Sequence, residues 1–321
     1  MQLCDASAQN LLDGCRRATA RAVTTGVTSP AGRETGVADE SPGPTVLRFL
    51  LGSRLRHLRE AKGITPHEAA RAIRATDSKI SRIELGRSPV REIDAEDLLT
   101  LYGVTDPAER EELLTLAAQA GQRGWWHRYG ELVPDWLQTY IGLEQAARSI
   151  RTYQSQFVPG LLQTDGYAAA LMELADFPPN EAMLRVELRQ DRQRRVRDGG
   201  LYLWAVVDEA VLRRRIGSPE VMREQLEYLL EASTRPTLTL QVTPFGSGGH
   251  AAVGSFSIIR FESAEVPDMV YVEHLTGALY IDKRAEVDAY LIAMERLTMI
   301  SAQPRQSTMI IESILDGGDS R

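Results

Sequence analysis

ATDSKISRIELGR, residues 75–87, sets two acids, two kinds of hydroxyl, a lysine and an arginine around two isoleucines and closes at Gly86-Arg87. On a helical wheel Ile80 and Ile83 share one side, and Thr76, Asp77, Ser78, Lys79, Ser81 and Arg82 are left outside. Thr76 stands where a cap stands, so free N–H groups and the positive end of the helix dipole face outward beside Lys79. That arrangement suits phosphates and the base edges of a major groove. A plain solvated helix would show the same period, so the flanking sequence has to decide.

Upstream, Leu47, Leu51, Leu55 and Leu58 recur at helical spacing, and Lys62-Gly63 supplies a basic last turn and a stop. Thr65-Pro66-His67-Glu68 then reads as a capping box with proline at the first helical position. A short second helix turns Ala70 and Ile73 inward, and a third begins at Thr76. A long helix, a short one, a tight turn and another short one within about 40 residues is the helix-turn-helix pattern. Two more helices are expected near 93–102 and 107–122. From Pro44 to Arg91 there are eleven Lys or Arg against four Asp or Glu, although the whole chain carries −7. A basic module on an acidic body points to double-stranded DNA as the partner of the outward face, Arg87 included.

The chain has 321 residues, 43% hydrophobic and 25% charged, which is enough for more than one domain. No apolar run reaches a membrane span, and the start lacks the pattern of a secretory signal. Cys4 and Cys15 have no companions at metal spacing, so neither a disulfide scaffold nor a zinc site is expected, and a cytoplasmic location fits. Residues 1–43 read as a disordered leader, with a translation start at Val37 as the alternative. Residues 44–122 form the helix-turn-helix domain, 123–315 an α+β domain and 316–321 a tail. In the second domain a helix is expected over IGLEQAARSIRTY (141–153), and a basic helix over NEAMLRVELRQDRQRRVRDGG (180–200) that ends in its glycine pair. LYLWAVV, PTLTLQV, GSFSIIRF, DMVYVEH and ALYID predict a mostly antiparallel sheet of about five strands backed by helices.

LGSRLRHLREAKGITPHEAARAIRATDSKISRIELGR (51–87) resembles the Xre/Cro-type helix-turn-helix family. GWWHRY (124–129), YQSQFVPGLLQTDGYAAAL (153–171), RQDRQRR (189–195), VVDEAVLRRRIGSPEVMREQLEYLL (206–230), VTPFGSGGHAAVGSFSIIRF (242–261), VYVEHLTGALY (270–280) and STMIIESI (307–314) are similar to an actinobacterial subgroup. In that subgroup the DNA-binding module is fused to a C-terminal domain of unassigned biochemistry. The resemblance covers about residues 45–315. It implies a transcription regulator, described as antitoxin-like, with a small protein partner encoded beside it. Carried over by position, it implies base contacts from Asp77, Ser78 and Arg82, and phosphate contacts from Thr76, Lys79 and Ser81. It also implies an ion pair between Arg59 and Glu84. Pro66 stands where the family often has a glutamine that anchors a phosphate, and Ala69 replaces the usual leucine beneath it.

Outside the head, Glu262, Glu265, Asp268 and Glu273 match no ligand spacing and are expected to face solvent. His250 and His274 lack a nucleophile with an oriented base, and PFGSGGH lacks the lysine of a phosphate loop. No catalytic residue, metal or cofactor is expected. The basic residues of 184–197 read either as a second DNA contact or, by preference, as partners of acidic groups in the domain or on another protein. Trp125, Trp126, Tyr129 and Trp136 read as a seam between domains, with a ligand pocket as the alternative. The expectation is a DNA-binding transcriptional regulator, a homodimer through its C-terminal domain. A small-molecule effector, or a small protein partner controlling it in antitoxin fashion, is the other reading.

Overall fold

Pro44 opens the first helix of the computed structural model, which describes residues 43–248, 254–263 and 266–317. The expected leader up to residue 42, His250, Glu265 and the last four residues lie outside these. Helix α1 (Pro44–Ala61) ends at Lys62, and Gly63 follows at φ +67, a backbone state that glycine adopts without a steric penalty. Helices α2 (Pro66–Ala72), α3 (Asp77–Glu84), α4 (Glu92–Leu101) and α5 (Pro107–Ala120) complete an all-helical head. Its core is Leu47, Leu51, Leu55, Ala69, Ala70, Ile73, Ile80, Ile83, Leu98, Leu99 and Leu113. Each fully buried leucine or isoleucine there contributes about 1.5–3 kcal/mol of transfer free energy.

A 3-10 segment (Trp125–Leu132) leads to α6 (Asp135–Ala146), β1 (Ser149–Gln154), α7 (Asp165–Leu174) and α8 (Pro179–Arg197). Then come β2 (Tyr202–Asp208), α9 (Glu209–Arg213), α10 (Pro219–Ala232), β3 (Leu238–Thr243), β4 (Phe256–Arg260), β5 (Met269–His274) and β6 (Gly277–Ile281). Helices α11 (Arg284–Ile300) and α12 (Pro304–Leu315) end the chain's described part.

The strands form one sheet in the order β3-β2-β1-β4-β5-β6, six rather than about five. The strand missed is β1, and the helix expected over 141–153 stops at Ala146 instead. β1 pairs in parallel with β2 and antiparallel with β4; β2–β3 is also parallel, and β4–β5 and β5–β6 are antiparallel. Alternation sorts the side chains. Ile150, Leu203, Ala205, Val207, Leu240, Val242, Ile259 and Met269 face a core roofed by α6, α7, α8, α9, α10 and α12. Tyr153, Val206, Phe256, Ile258 and Val270 face Val287, Met294 and Leu297 of α11 on the other side.

Helix α1 serves two cores. Leu47, Leu51 and Leu55 point into the head, while Val46 and Phe49 belong to the buried cluster that contains Tyr140 and Leu143 of α6. Two glycines set how closely it packs. A Cβ on Gly52 would stand 2.4 Å from the Ile83 carbonyl oxygen, and one on Gly142 would stand 1.9 Å from Thr45 Oγ1. The described residues, from Gly43 onward, form one compact unit.

The α1–α6 contact joins head and sheet, and of the four expected seam aromatics Trp136 packs against the same cluster as Val46 and Phe49 of α1. Trp126 and Tyr129 pack with Val133, Ile141 and Leu188, all within the C-terminal part.

Candidate nucleic-acid interface

The turn between α2 and α3 is built by local hydrogen bonds. Thr65 Oγ1 accepts from Glu68 N at 3.2 Å, and Glu68 Oε2 accepts from Thr65 N at 2.8 Å, which closes the box around Pro66. At the far end Ala75 N donates to the Ala70 carbonyl at 2.8 Å, with Arg74 between them at φ +52. Left-handed backbone at a non-glycine residue costs on the order of 1–2 kcal/mol, so the buried Ala69, Ala70 and Ile73 on one side of the turn must hold it. Thr76 then caps α3, accepting from Lys79 N at 3.3 Å.

Thr76, Asp77, Ser78, Ser81, Arg82 and Arg87 are exposed, while Ile80 and Ile83 are buried beneath them. His67 Nδ1 lies 3.2 Å from Asp77 Oδ1, which ties the first turn of α3 to α2. Lys79 is placed otherwise than the resemblance implies. Its Nζ donates to Asp94 Oδ2 at 3.1 Å, and the same buried carboxylate receives Arg91 Nε at 2.9 Å and Nη2 at 2.6 Å. Hydrogen bonds from Arg91, opposed by burial and reinforced by Lys79, hold the Asp94 carboxyl below the usual aspartate range. Lys79 thus spends its charge on α4 rather than presenting it.

Behind the exposed face, Arg59 Nε donates to Glu84 Oε1 at 2.6 Å and Nη2 to Oε2 at 3.0 Å, and Nη1 donates to the Ile64 carbonyl at 2.8 Å. Both side chains are under 10% exposed, which makes this a bidentate, nearly dry pair between α1 and α3. The hydroxyl of Tyr102 lies buried with no hydrogen-bond partner, and burial together with Glu84 raises its pKa above the tyrosine range. Gly86, just past the Leu85 cap of α3, stands at φ +64, where a Cβ would fall 2.7 Å from the Phe49 ring. The end of the exposed helix therefore rests on the side chain that α1 sends into the C-terminal core.

The described acidic and histidine candidates outside the head stand apart from one another in their partners. Asp268 receives Arg260 Nε at 2.7 Å, Glu273 receives the Tyr271 hydroxyl at 2.9 Å, and Glu262 and His274 are exposed. Among the described residues no three His, Cys, Asp or Glu side chains gather as a metal site, and no helix is long and apolar enough to cross a membrane. The basic helix α8 turns inward. Arg192 makes two 2.8 Å bonds to the buried Glu144, and Arg194 pairs with Asp191 at 2.6 Å. Sequence reasoning missed the Lys79–Asp94 and Arg192–Glu144 pairs because their members lie 15 and 48 residues apart.

Comparison with known families gives two matches. A model described as a helix-turn-helix domain matches residues 50–113, and one described as a domain of unknown function (DUF5753) matches residues 137–313. Neither curated proteins nor solved structures give a match.

Proposed function

The chain belongs to the DUF5753 family and carries a helix-turn-helix domain ahead of it, and from this premise we propose that it is a sequence-specific transcriptional regulator of the Xre/Cro type. One observation carries the reading: α3 is a capped helix whose inner face is fixed by Ile80, Ile83 and the Arg59–Glu84 pair, while its outer face is free to enter a groove. Asp77, Ser78 and Arg82 meet base edges, and Thr76, Ser81 and Arg87 meet phosphates at the rim. Lys79 acts as a brace. Pro66 has no N–H and no amide side chain, so α2 offers the backbone little, and affinity depends on pairing two heads.

In this proposal the C-terminal domain forms the dimer and receives a signal in the cytoplasm, and the chain has no catalytic task. The two α3 helices then face half-sites about one helical turn, roughly 34 Å, apart. The Phe49 contact at Gly86 favours a signal that acts through α1, whether a small molecule or a small protein partner supplies it.

The test begins by selecting bound duplexes from a random pool with the full chain. A two-fold symmetric consensus, lost with Arg82→Ala, is the expected result. A pool that yields no enriched sequence, or a full chain that scatters light as a monomer while bound to a single half-site, overturns it.

A further inference from the structure

The sheet has two outer strands, β3 and β6, and the fold treats them differently. On β3 the outward groups of Val242 are answered. Its N–H donates to Ser307 Oγ at 2.9 Å, and its carbonyl accepts from Ala302 N at 2.8 Å, both supplied at the start of α12. On β6, among the described residues, no backbone–backbone bond joins residues 277–281 to any element but β5. An antiparallel strand paired on one side only leaves alternate N–H and C=O groups pointing away.

Nor is that edge guarded. Charged side chains, proline and bulges keep exposed edges from joining. GALYI (277–281) has no charge and no proline, and its register with β5 runs unbroken from Val270–Ile281 to His274–Gly277. Leu279, at its centre, is 53% exposed, and Leu275, in the turn before it, is 99% exposed. A bare edge with apolar side chains outside is a template for another strand.

The strand is complementary to itself. Laid antiparallel on a second copy with Leu279 on the two-fold axis, all five residues pair. Leu279 then meets its own copy, Ala278 lies opposite Tyr280, and Gly277 lies opposite Ile281. Away from the axis each large side chain faces a small one. Just beyond, Thr276 falls opposite Asp282, a hydroxyl against a carboxylate, and no like charges meet. Moving the axis to Tyr280 would instead set two tyrosines together and place Ala278 against Asp282.

The place of β6 in the fold suits such an axis. Ala278 and Tyr280 pack on the cluster that holds Tyr140 of α6, and the Tyr280 hydroxyl donates to the Trp136 carbonyl in the first turn of that helix. Helix α6 in turn meets α1, where Gly142 abuts Thr45. Burial, with Tyr140 and Glu273, raises the Tyr280 pKa, and the charge of Arg87 opposes them, so the end of α3 lies near this strand. An axis through Leu279 has both heads beside it.

We propose that β6 is the edge through which two copies of the chain join, pairing Gly277–Ile281 antiparallel into one continuous sheet with Leu279 on the axis. The pairing stands on the strand alone; its use in bringing two heads to one operator rests on the proposed function.

The experiment uses the full chain without DNA. Light scattering gives the mass of two chains for the wild type in low and high salt alike, because the pairing holds no ion pair. Leu279→Lys sets two ammonium groups against each other on the axis and gives the mass of one chain, with the circular dichroism of the wild type. If that variant does not fold, Leu279→Cys decides, with Cys4 and Cys15 replaced by serine. Residues opposite one another in antiparallel strands stand about 4.5–5.5 Å apart between Cα atoms, within reach of a disulfide. Mild oxidation therefore links the Leu279→Cys chains in pairs, and far faster than Leu275→Cys, which is more exposed but lies off the axis. A monomeric wild-type chain, whose edge would then await a different protein's strand, overturns the proposal. So does a dimer that survives a folded Leu279→Lys, or a Leu279→Cys chain that links no faster than Leu275→Cys. A dimer held elsewhere leaves the regulator reading standing, since selection of duplexes decides that reading by itself.

Discussion

Helices α3 and α8 both carry arginine, and they use it in opposite ways. On α3, Arg82 stands in solvent with no ion pair to a described carboxylate; on α8, Arg192 lies against the buried Glu144 through two short bonds. Residue counts suggest the reverse ranking, because α8 has six arginines and α3 has one. What separates them is whether a partner exists within the fold. A charge already matched inside is structural, and one left outside is available to another molecule.

The largest effect should come from breaking the inward pattern. Glu144→Ala strands Arg192 in the core and is expected to lower stability by about 3–5 kcal/mol in urea unfolding. Unfolding at the wild-type midpoint would mean that Arg192 reaches water. Glu84→Ala strands Arg59 in the same way, but Arg59 keeps the Ile64 carbonyl, so a loss nearer to about 3 kcal/mol is expected. Replacing Arg59 and Glu84 together with apolar residues should cost much less than either single change.

The outward pattern should break differently. Arg82→Ala is expected to weaken binding to a selected duplex by about 1–3 kcal/mol, with stability unchanged within about 0.5 kcal/mol. Lys79→Met sharpens the contrast within α3: it should leave the slope of log affinity against log salt as it is, whereas loss of a phosphate contact lowers that slope by about one. Its partner Asp94 has a depressed pKa, so the contact adds stability above the unfolded value of about 3.9 and loses it as pH falls through the lower folded value. Asp94→Asn should flatten that acid limb in a pH series of melting curves. Smallest of all, Arg223→Ala removes a 3.9 Å pair with Glu227 on the open face of α10 and should change stability by no more than about 0.5 kcal/mol.

The head was legible because its signals are local. Thr65, Glu68, Thr76 and Gly86 act within three or four residues of themselves, and Ile80 and Ile83 keep one period. β1 was not legible, for a physical reason. Its apolar core residues Ile150 and Tyr153 are three apart, the spacing of a helix, and they face opposite sides of the sheet. The position between them that shares Ile150's face is Thr152, which hydrogen-bonds Ser257 and the Phe256 carbonyl on β4 instead of looking apolar. The candidate contacts on α3 could be assigned by wheel, but Lys79 could not be separated from Arg82 that way. Only the fold brings Asp94 beneath one and no described carboxylate against the other.

Helix α1 also limits how such proteins can be recombined. Thr45, Val46 and Phe49 wall the C-terminal core while Leu47, Leu51 and Leu55 wall the head, alternating along a single stretch of backbone. No junction placed within or after that stretch cuts between the two sets. A chimera that borrows another head must therefore inherit residues fitted to Tyr140, Gly142 and Leu143, or be given α6 from the same donor. The unit of exchange is the head together with its seat.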